Sequence, residues 1–177
     1  GLATGISAEG WVIIEMVNGG AVTRYTLEGV TSIFDIAGNI VLGSSDVADM
    51  IVVGAGSAGD DRAGGFGDDT LDGRQAAGPV RLFGEAGNDI IYGSAADGNV
   101  LSGGSGDDAI LGVTGFSGTI TGSWGNDFLQ GPGYMDGGED NDTLVSLSSQ
   151  SFVYGGDGND RLFGPGFLGG DAGDDII

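Results

Sequence analysis

The chain has 177 residues, 40 of them Gly, and sets 26 acidic residues against five basic ones for a formal charge of −21. It contains no His and no Cys, and because all five basic residues are Arg it contains no Lys. These absences exclude Cys/His zinc sites, haem ligation, disulfides, Ser-His-Asp catalysis, P-loop lysines and Schiff bases, and the charge opposes nucleic acid and anionic membrane surfaces.

Gly at this level is roughly three times the average usage. Apolar residues still make up 40% of the chain, more than an acidic disordered chain carries, so order is expected. No apolar run approaches 18 residues, so no transmembrane helix is expected, and no basic leader pattern marks a signal peptide.

The first 43 residues show no repeat. Trp11–Val17 and Ala21–Leu27 read as strands joined by Asn18-Gly19-Gly20, a hairpin signal. Val30–Ile36 and Asn39–Leu42 read as further strands entering a coil formed by the rest of the chain. Residues 1–43 are therefore expected to form a β cap or connecting segment, since stacked repeats need covered ends.

Residues 51–59, IVVGAGSAG, imitate a dinucleotide fingerprint, with Gly54, Gly56 and Gly59 in G-x-G-x-x-G spacing. That fingerprint needs a helix to start in the turn and meet a pyrophosphate. Here acids and further Gly come next, as DDRAGGFGDD, so a strand and a Gly loop are expected instead.

From residue 64 onward a nine-residue frame recurs, G-G-x-G-x-D-x-U-x, with U a large apolar residue. Copies begin at 64, 84, 103, 122, 137, 155 and 170, with a degenerate copy at 44–52. The sixth position is always Asp (Asp49, Asp69, Asp89, Asp108, Asp127, Asp142, Asp160, Asp175), and the eighth is always Ile or Leu. The fifth is Asp or Asn in the seven good copies.

The starts are 15 to 20 residues apart rather than nine. Every second half-turn is thus of another kind. Those halves carry their own apolar residue two places before the next Gly: Leu82, Leu101, Ile120, Met135, Val153 and Leu168. All three Pro fall there, as Gly78-Pro79, Gly131-Pro132 and Gly164-Pro165. The expectation is an all-β coil over 44–177, with two short inward-pointing strands per turn and turns stacked about 4.8 Å apart. Stacking would place the sixth-position Asp residues in a column of like charge that a cation must fill.

Calcium suits that column. It takes about six to eight oxygen ligands in flexible geometry, whereas magnesium wants a rigid octahedron and zinc wants N or S donors. Gly-rich loops can turn carbonyls inward because Gly reaches positive φ without strain. Asp can also simply shape turns, but seven copies in one register favour ligation.

Over about residues 44–177 the pattern resembles the repeats-in-toxin (RTX) family of calcium-binding nonapeptide repeats. The resemblance implies a right-handed parallel β-roll, or β-solenoid, with calcium between successive loops. It also implies secretion through type I machinery, folding in external calcium, and an extracellular or cell-surface location. The ligands implied are Asp69, Asp89, Asp108, Asp127, Asp142, Asp160 and Asp175. To these it adds carbonyls at Gly65, Gly67, Gly87, Gly104, Gly106, Gly125, Gly138, Gly156 and Gly158.

The family usually has calcium loops on both sides of the roll, and here one side lacks them. Seven loops in one column leave six gaps, so about six ions are expected in a single row. They would bring the formal charge of −21 to about −9. Glu85, Ser123, Asp140 and Asp171 stand where the frame has Gly, which is expected to vary occupancy.

The adjacent acids Asp68-Asp69, Asp107-Asp108 and Asp174-Asp175 could pair for glycosidase chemistry, but each sits in a repeat frame, so no catalytic residue is assigned. The main functional expectation is a non-catalytic calcium-binding module with a structural or interaction role. Alternatives are a filament or surface-layer subunit that stacks end to end, and a C-terminal secretion module of a larger extracellular enzyme. Phe66 and Trp124, at the third loop position, are expected outside, where they could meet a protein partner or another copy. Ice binding would need a regular Thr or Asn column, which the third position lacks.

Overall fold

The computed structural model describes the backbone of five strands within residues 1–47, and residues 48–54, 61–113 and 118–177 in full. The chain divides into two compact units, Gly1–Val47 and Ala48–Ile177. Among the described residues there is no helix, and hence none long and apolar enough to cross a membrane.

The first unit holds β1 (Leu2–Ile6), β2 (Val12–Asn18), β3 (Ala21–Leu27), β4 (Ile33–Ile36) and β5 (Asn39–Leu42). β2 and β3 pair antiparallel in the hairpin expected around Asn18. β1, which has no turn signal of its own in the sequence, adds antiparallel to the outer edge of β2. β4 and β5 depart from expectation. They pair with each other, antiparallel, and do not enter the coil. Two residues separate them, which suits a hairpin and is far too short for a parallel crossover.

The second unit is a parallel solenoid of two seven-stranded sheets. One sheet contains the U positions: β6 (Met50–Val52), β8 (Thr70–Asp72), β10 (Ile90–Tyr92), β12 (Ala109–Leu111), β14 (Phe128–Gly131), β16 (Thr143–Ser146) and β18 (Arg161–Phe163). The other contains β7 (Asp61–Phe66), β9 (Arg81–Ala86), β11 (Val100–Ser105), β13 (Thr119–Trp124), β15 (Tyr134–Glu139), β17 (Phe152–Asp157) and β19 (Phe167–Ala172). The chain alternates between the sheets, so each strand stacks on its counterpart one turn away.

Register obeys the frame. Ile51, Leu71, Ile91, Ile110, Leu129, Leu144 and Leu162 are successive partners in one sheet. Leu82, Leu101, Ile120, Met135, Val153 and Leu168 are successive partners in the other. The two columns face each other and form the core with Val53 and Val80, Leu168 being only partly buried. The degenerate copy is a genuine layer, since β6 pairs with β8 with Ile51 opposite Leu71. Arg62 is the register partner of Leu82, so the aliphatic column does not continue into the first layer of this sheet.

The two sides of the coil are built differently. On one, three residues separate each long strand from the next short one, as at 67–69 and 87–89. On the other, connections vary, and side chains close them. Asn99 accepts the Val80 N–H (2.8 Å) and donates to the carbonyls of Ser94 (3.0 Å) and Ala96 (2.8 Å), while the Ser94 hydroxyl donates to Gly78 O (2.9 Å). The shortened turns fold back through Gly-Pro-Gly, with Gly133, Gly164 and Gly166 at positive φ. Among the described residues, the buried side-chain polar atoms on this side have hydrogen-bond partners.

Of the G-x-G-x-x-G segment, Ile51–Val52 is strand and Val53–Gly54 comes directly after it. Gly56 and Gly59 lie outside the described residues, as do Trp11 and Phe116.

Candidate metal centre

The Gly-Asp corners stack into one row along one side of the solenoid. Asp69, Asp89, Asp108, Asp127, Asp142 and Asp160 are all at most 2% exposed, and Asp175 is partly buried.

In the six from Asp69 to Asp160, every polar group but one is accounted for. Each carboxylate Oδ1 accepts the backbone N–H of the Asp one turn earlier: Asp49 to Asp69 (2.6 Å), Asp69 to Asp89 (2.7 Å), Asp89 to Asp108 (2.7 Å), Asp108 to Asp127 (2.7 Å). The ladder continues from Asp127 to Asp142 (2.8 Å), Asp142 to Asp160 (2.8 Å) and Asp160 to Asp175 (3.0 Å). The Asp carbonyls accept from the following strand one turn on, as in Ile90 N–H to Asp69 O (2.8 Å) and Phe128 N–H to Asp108 O (2.8 Å). That leaves Oδ2, which is buried without a partner in Asp69, Asp89, Asp108, Asp127, Asp142 and Asp160 alike.

The first Gly of the frame makes room for that oxygen. A Cβ at Gly64 would collide with Asp69 Oδ2 and lie 2.8 Å from the Gly84 carbonyl of the next turn. One at Gly155 would collide with Asp160 Oδ2 and lie 2.7 Å from the Gly170 carbonyl. At Gly64, Gly84, Gly122, Gly137 and Gly155 the unpartnered oxygen thus shares a small cradle with a carbonyl from the neighbouring turn. The donors are all oxygen. Among the described residues no three acidic side chains converge on one point, so carbonyls must complete any ligand set. One carboxylate plus several carbonyls fits calcium, and offers nothing to zinc.

The Gly residues named from sequence, from Gly65 to Gly158, all have positive φ. A Cβ on Gly106, for instance, would run into the Gly87 carbonyl of the turn before. The carbonyls of these loop positions therefore point along the stack. The four replacements, Glu85, Ser123, Asp140 and Asp171, are the described non-Gly residues at positive φ. Strain of that kind costs about 1–3 kcal/mol. Ser123→Gly, at φ 97°, is accordingly expected to raise stability by about 1 kcal/mol. Thermal melts in saturating calcium check this, and an unchanged or lower midpoint would mean that the side chain contributes more than the strain removes.

The fifth position has a role that sequence reasoning left open. Its side-chain oxygen accepts the N–H of the fifth residue one turn later: Asn88 to Asp68 (2.8 Å), Asp107 to Asn88 (2.7 Å), Asn126 to Asp107 (2.7 Å), Asn159 to Asn141 (2.9 Å). This ladder runs opposite to the Asp ladder. Asn serves as well as Asp because only an acceptor is required.

Burial raises the pKa of the column carboxylates, foremost by desolvation and further by neighbouring Asp charges. Asp69 is pushed up to about 6, Asp108 and Asp142 to about 7, and Asp127 to about 8. Asp89 and Asp160 move in the same direction. Between the ordinary Asp value of 3.8 and about 8, the metal-free folded state holds protons that the unfolded chain has released. Its stability therefore falls as pH rises through that window. Calcium reverses the trend, because ligation needs the ionised carboxylate. In chelator, circular dichroism should show more β-structure at pH 5 than at pH 8, and calcium affinity should increase with pH. Loss of β-structure on acidification in chelator would contradict this.

The RTX calcium-binding nonapeptide repeat model matches residues 64–98, 81–108, 95–116, 119–131 and 136–164. No curated protein and no solved structure is detectably similar to the chain. The matches cover more than half of the chain and coincide with the stacked Gly-Asp corners: the protein belongs to the RTX calcium-binding repeat family.

Proposed function

We propose that the solenoid is a non-catalytic calcium-binding module of a secreted or cell-surface bacterial protein, folding when it meets calcium and then serving as a rigid structural or interaction element. The observation that carries this reading is the row of partnerless buried oxygens from Asp69 to Asp160. A buried carboxylate oxygen without a partner is costly, and a cation is the natural remedy. About six ions, one per gap between neighbouring corners, would serve the row. Asp69 through Asp175 supply carboxylates, and loop Gly residues supply carbonyls.

A low carboxylate count per ion predicts weak individual sites, on the order of 10⁻⁴ M, the range of extracellular modules. Such sites fill in calcium-rich surroundings and stay empty in cytosol, which suits export of an unfolded chain. The absence of Cys also suits an exported protein that does without disulfides.

Native mass spectrometry and equilibrium dialysis across a calcium series test the reading. About six ions bound cooperatively at millimolar calcium, with magnesium unable to replace them, is the expected result. No stoichiometric binding at millimolar calcium would sink it.

A further inference from the structure

The outer face of the long-strand sheet carries an aromatic cluster over its last three strands. Tyr134, Phe152 and Phe167 are successive partners in one file, and Asp136, Tyr154 and Gly169 are successive partners in the next. Ring centroids lie 5.6 Å apart for Tyr134–Tyr154, 6.2 Å for Phe152–Phe167 and 5.8 Å for Tyr154–Phe167. The rings are tilted to one another, and Tyr134, Phe152 and Phe167 are 40%, 53% and 54% exposed. Tyr134 donates to Asp136 Oδ2 at 3.2 Å. The Asp136 and Asp171 charges both act on the Tyr134 phenol, which burial holds above its usual pKa.

The same chain shows what fits between an aromatic ring and a carboxylate on this solenoid. Asp72 and Tyr92 are register partners on adjacent strands. The Arg74 guanidinium bonds Asp72 at 2.6 Å and lies 4.2 Å from the Tyr92 ring centre. Near the other end of the long-strand sheet, Arg81 lies 3.5 Å from Asp61 and 5.9 Å from the Phe83 ring centre. Asp136 and Tyr154 are register partners just as Asp72 and Tyr92 are, but among the described residues no Arg lies over those rings. A planar guanidinium both stacks on aromatic faces and pairs with carboxylates. The formal charge, −21 without metal and still about −9 with six calcium ions bound, makes a basic partner the complementary one.

We propose that Tyr134, Phe152, Tyr154 and Phe167, with Asp136, form a docking face for an Arg-bearing segment of a protein partner.

The test uses the full chain in calcium and a blocked Gly-Arg-Gly-Arg-Gly peptide, titrated by calorimetry beside its Gln counterpart. The Arg peptide is expected to bind and the Gln peptide is not. Asp136→Asn and the pair Phe152→Ser with Phe167→Ser should each weaken binding by about threefold or more. Glu139→Gln removes the same charge elsewhere, and Phe128→Ser removes a ring from the other sheet; neither should matter. Circular dichroism confirms folding of each variant, and Asp136→Asn remains decisive should the double Ser variant fail to fold. Equal binding of both peptides, or binding indifferent to Asp136→Asn, would overturn the proposal. Self-association in calcium that Asp136→Asn abolishes would also overturn it, by giving the face to a second copy.

Discussion

In chelator near pH 8 the chain is expected to lose most of its β-structure, and calcium is expected to restore it in one cooperative transition. The Oδ2 atoms of Asp69 to Asp160 stand in a buried row, one per turn and so about 4.8 Å apart. At an effective dielectric near 20, two unit charges at that distance repel by on the order of 3 kcal/mol. The core that must resist this is thin, with one fully buried aliphatic residue per strand in most layers. Such a residue contributes only about 1.5–3 kcal/mol. Ligand binding to the folded state alone stabilises it by mass action, so several ions acting together decide the balance. Cooperativity arises from the stack, because cradles such as those at Gly84 and Gly122 take their carboxylate and their carbonyl from adjacent turns. Circular dichroism and sedimentation across a calcium series read the result directly. A chain fully folded in chelator at pH 8 would end the idea of metal-coupled folding.

Gly122→Ala is expected to destabilise the calcium-loaded protein by about 1–3 kcal/mol and to remove one ion from the count. The reason is space rather than backbone conformation. Gly122 is not among the residues at positive φ, so Ala could adopt its backbone and, in an ordinary strand, would gain from lower unfolded-state entropy. Here the new Cβ would collide with Asp127 Oδ2 and lie 2.5 Å from the Gly137 carbonyl. It would occupy the cradle that we assign to the ion. Gly54→Ala is the control, since among the described residues a Cβ there meets nothing within 4 Å. Calcium titration with native mass spectrometry separates the two variants. An unchanged midpoint and an unchanged ion count for Gly122→Ala would show that this cradle is not a ligand site.

The repeat was legible because its period is rigid. A frame with Asp at the sixth place and Ile or Leu at the eighth forces one strand per copy, and the structure stacks those copies in register. The inward columns came from the same spacing. Less legible were the first 43 residues, where β4 and β5 pair with each other rather than joining the coil. Strand propensity marked both segments, but pairing choice depends on connection length and on which edges are available. The Gly positions divided likewise. Sequence reasoning gave the loop Gly residues positive φ, which holds for Gly65 and Gly106; it did not single out Gly64 or Gly122, where the need is room for a carboxylate.

By itself the sequence determined that this is an all-β stacked repeat, acidic along one row of corners and without His, Cys or Lys. Periodicity and composition carry that information locally. Only the tertiary structure decided which oxygen of each Asp is free. Stacking one turn on the next satisfies Oδ1 with a backbone N–H and leaves Oδ2 buried with no partner. It likewise brought Tyr134, Tyr154, Phe167 and Asp136, up to 33 residues apart in the chain, onto one face. Both are contacts between turns, and a contact between turns has no signature within any single copy of the frame.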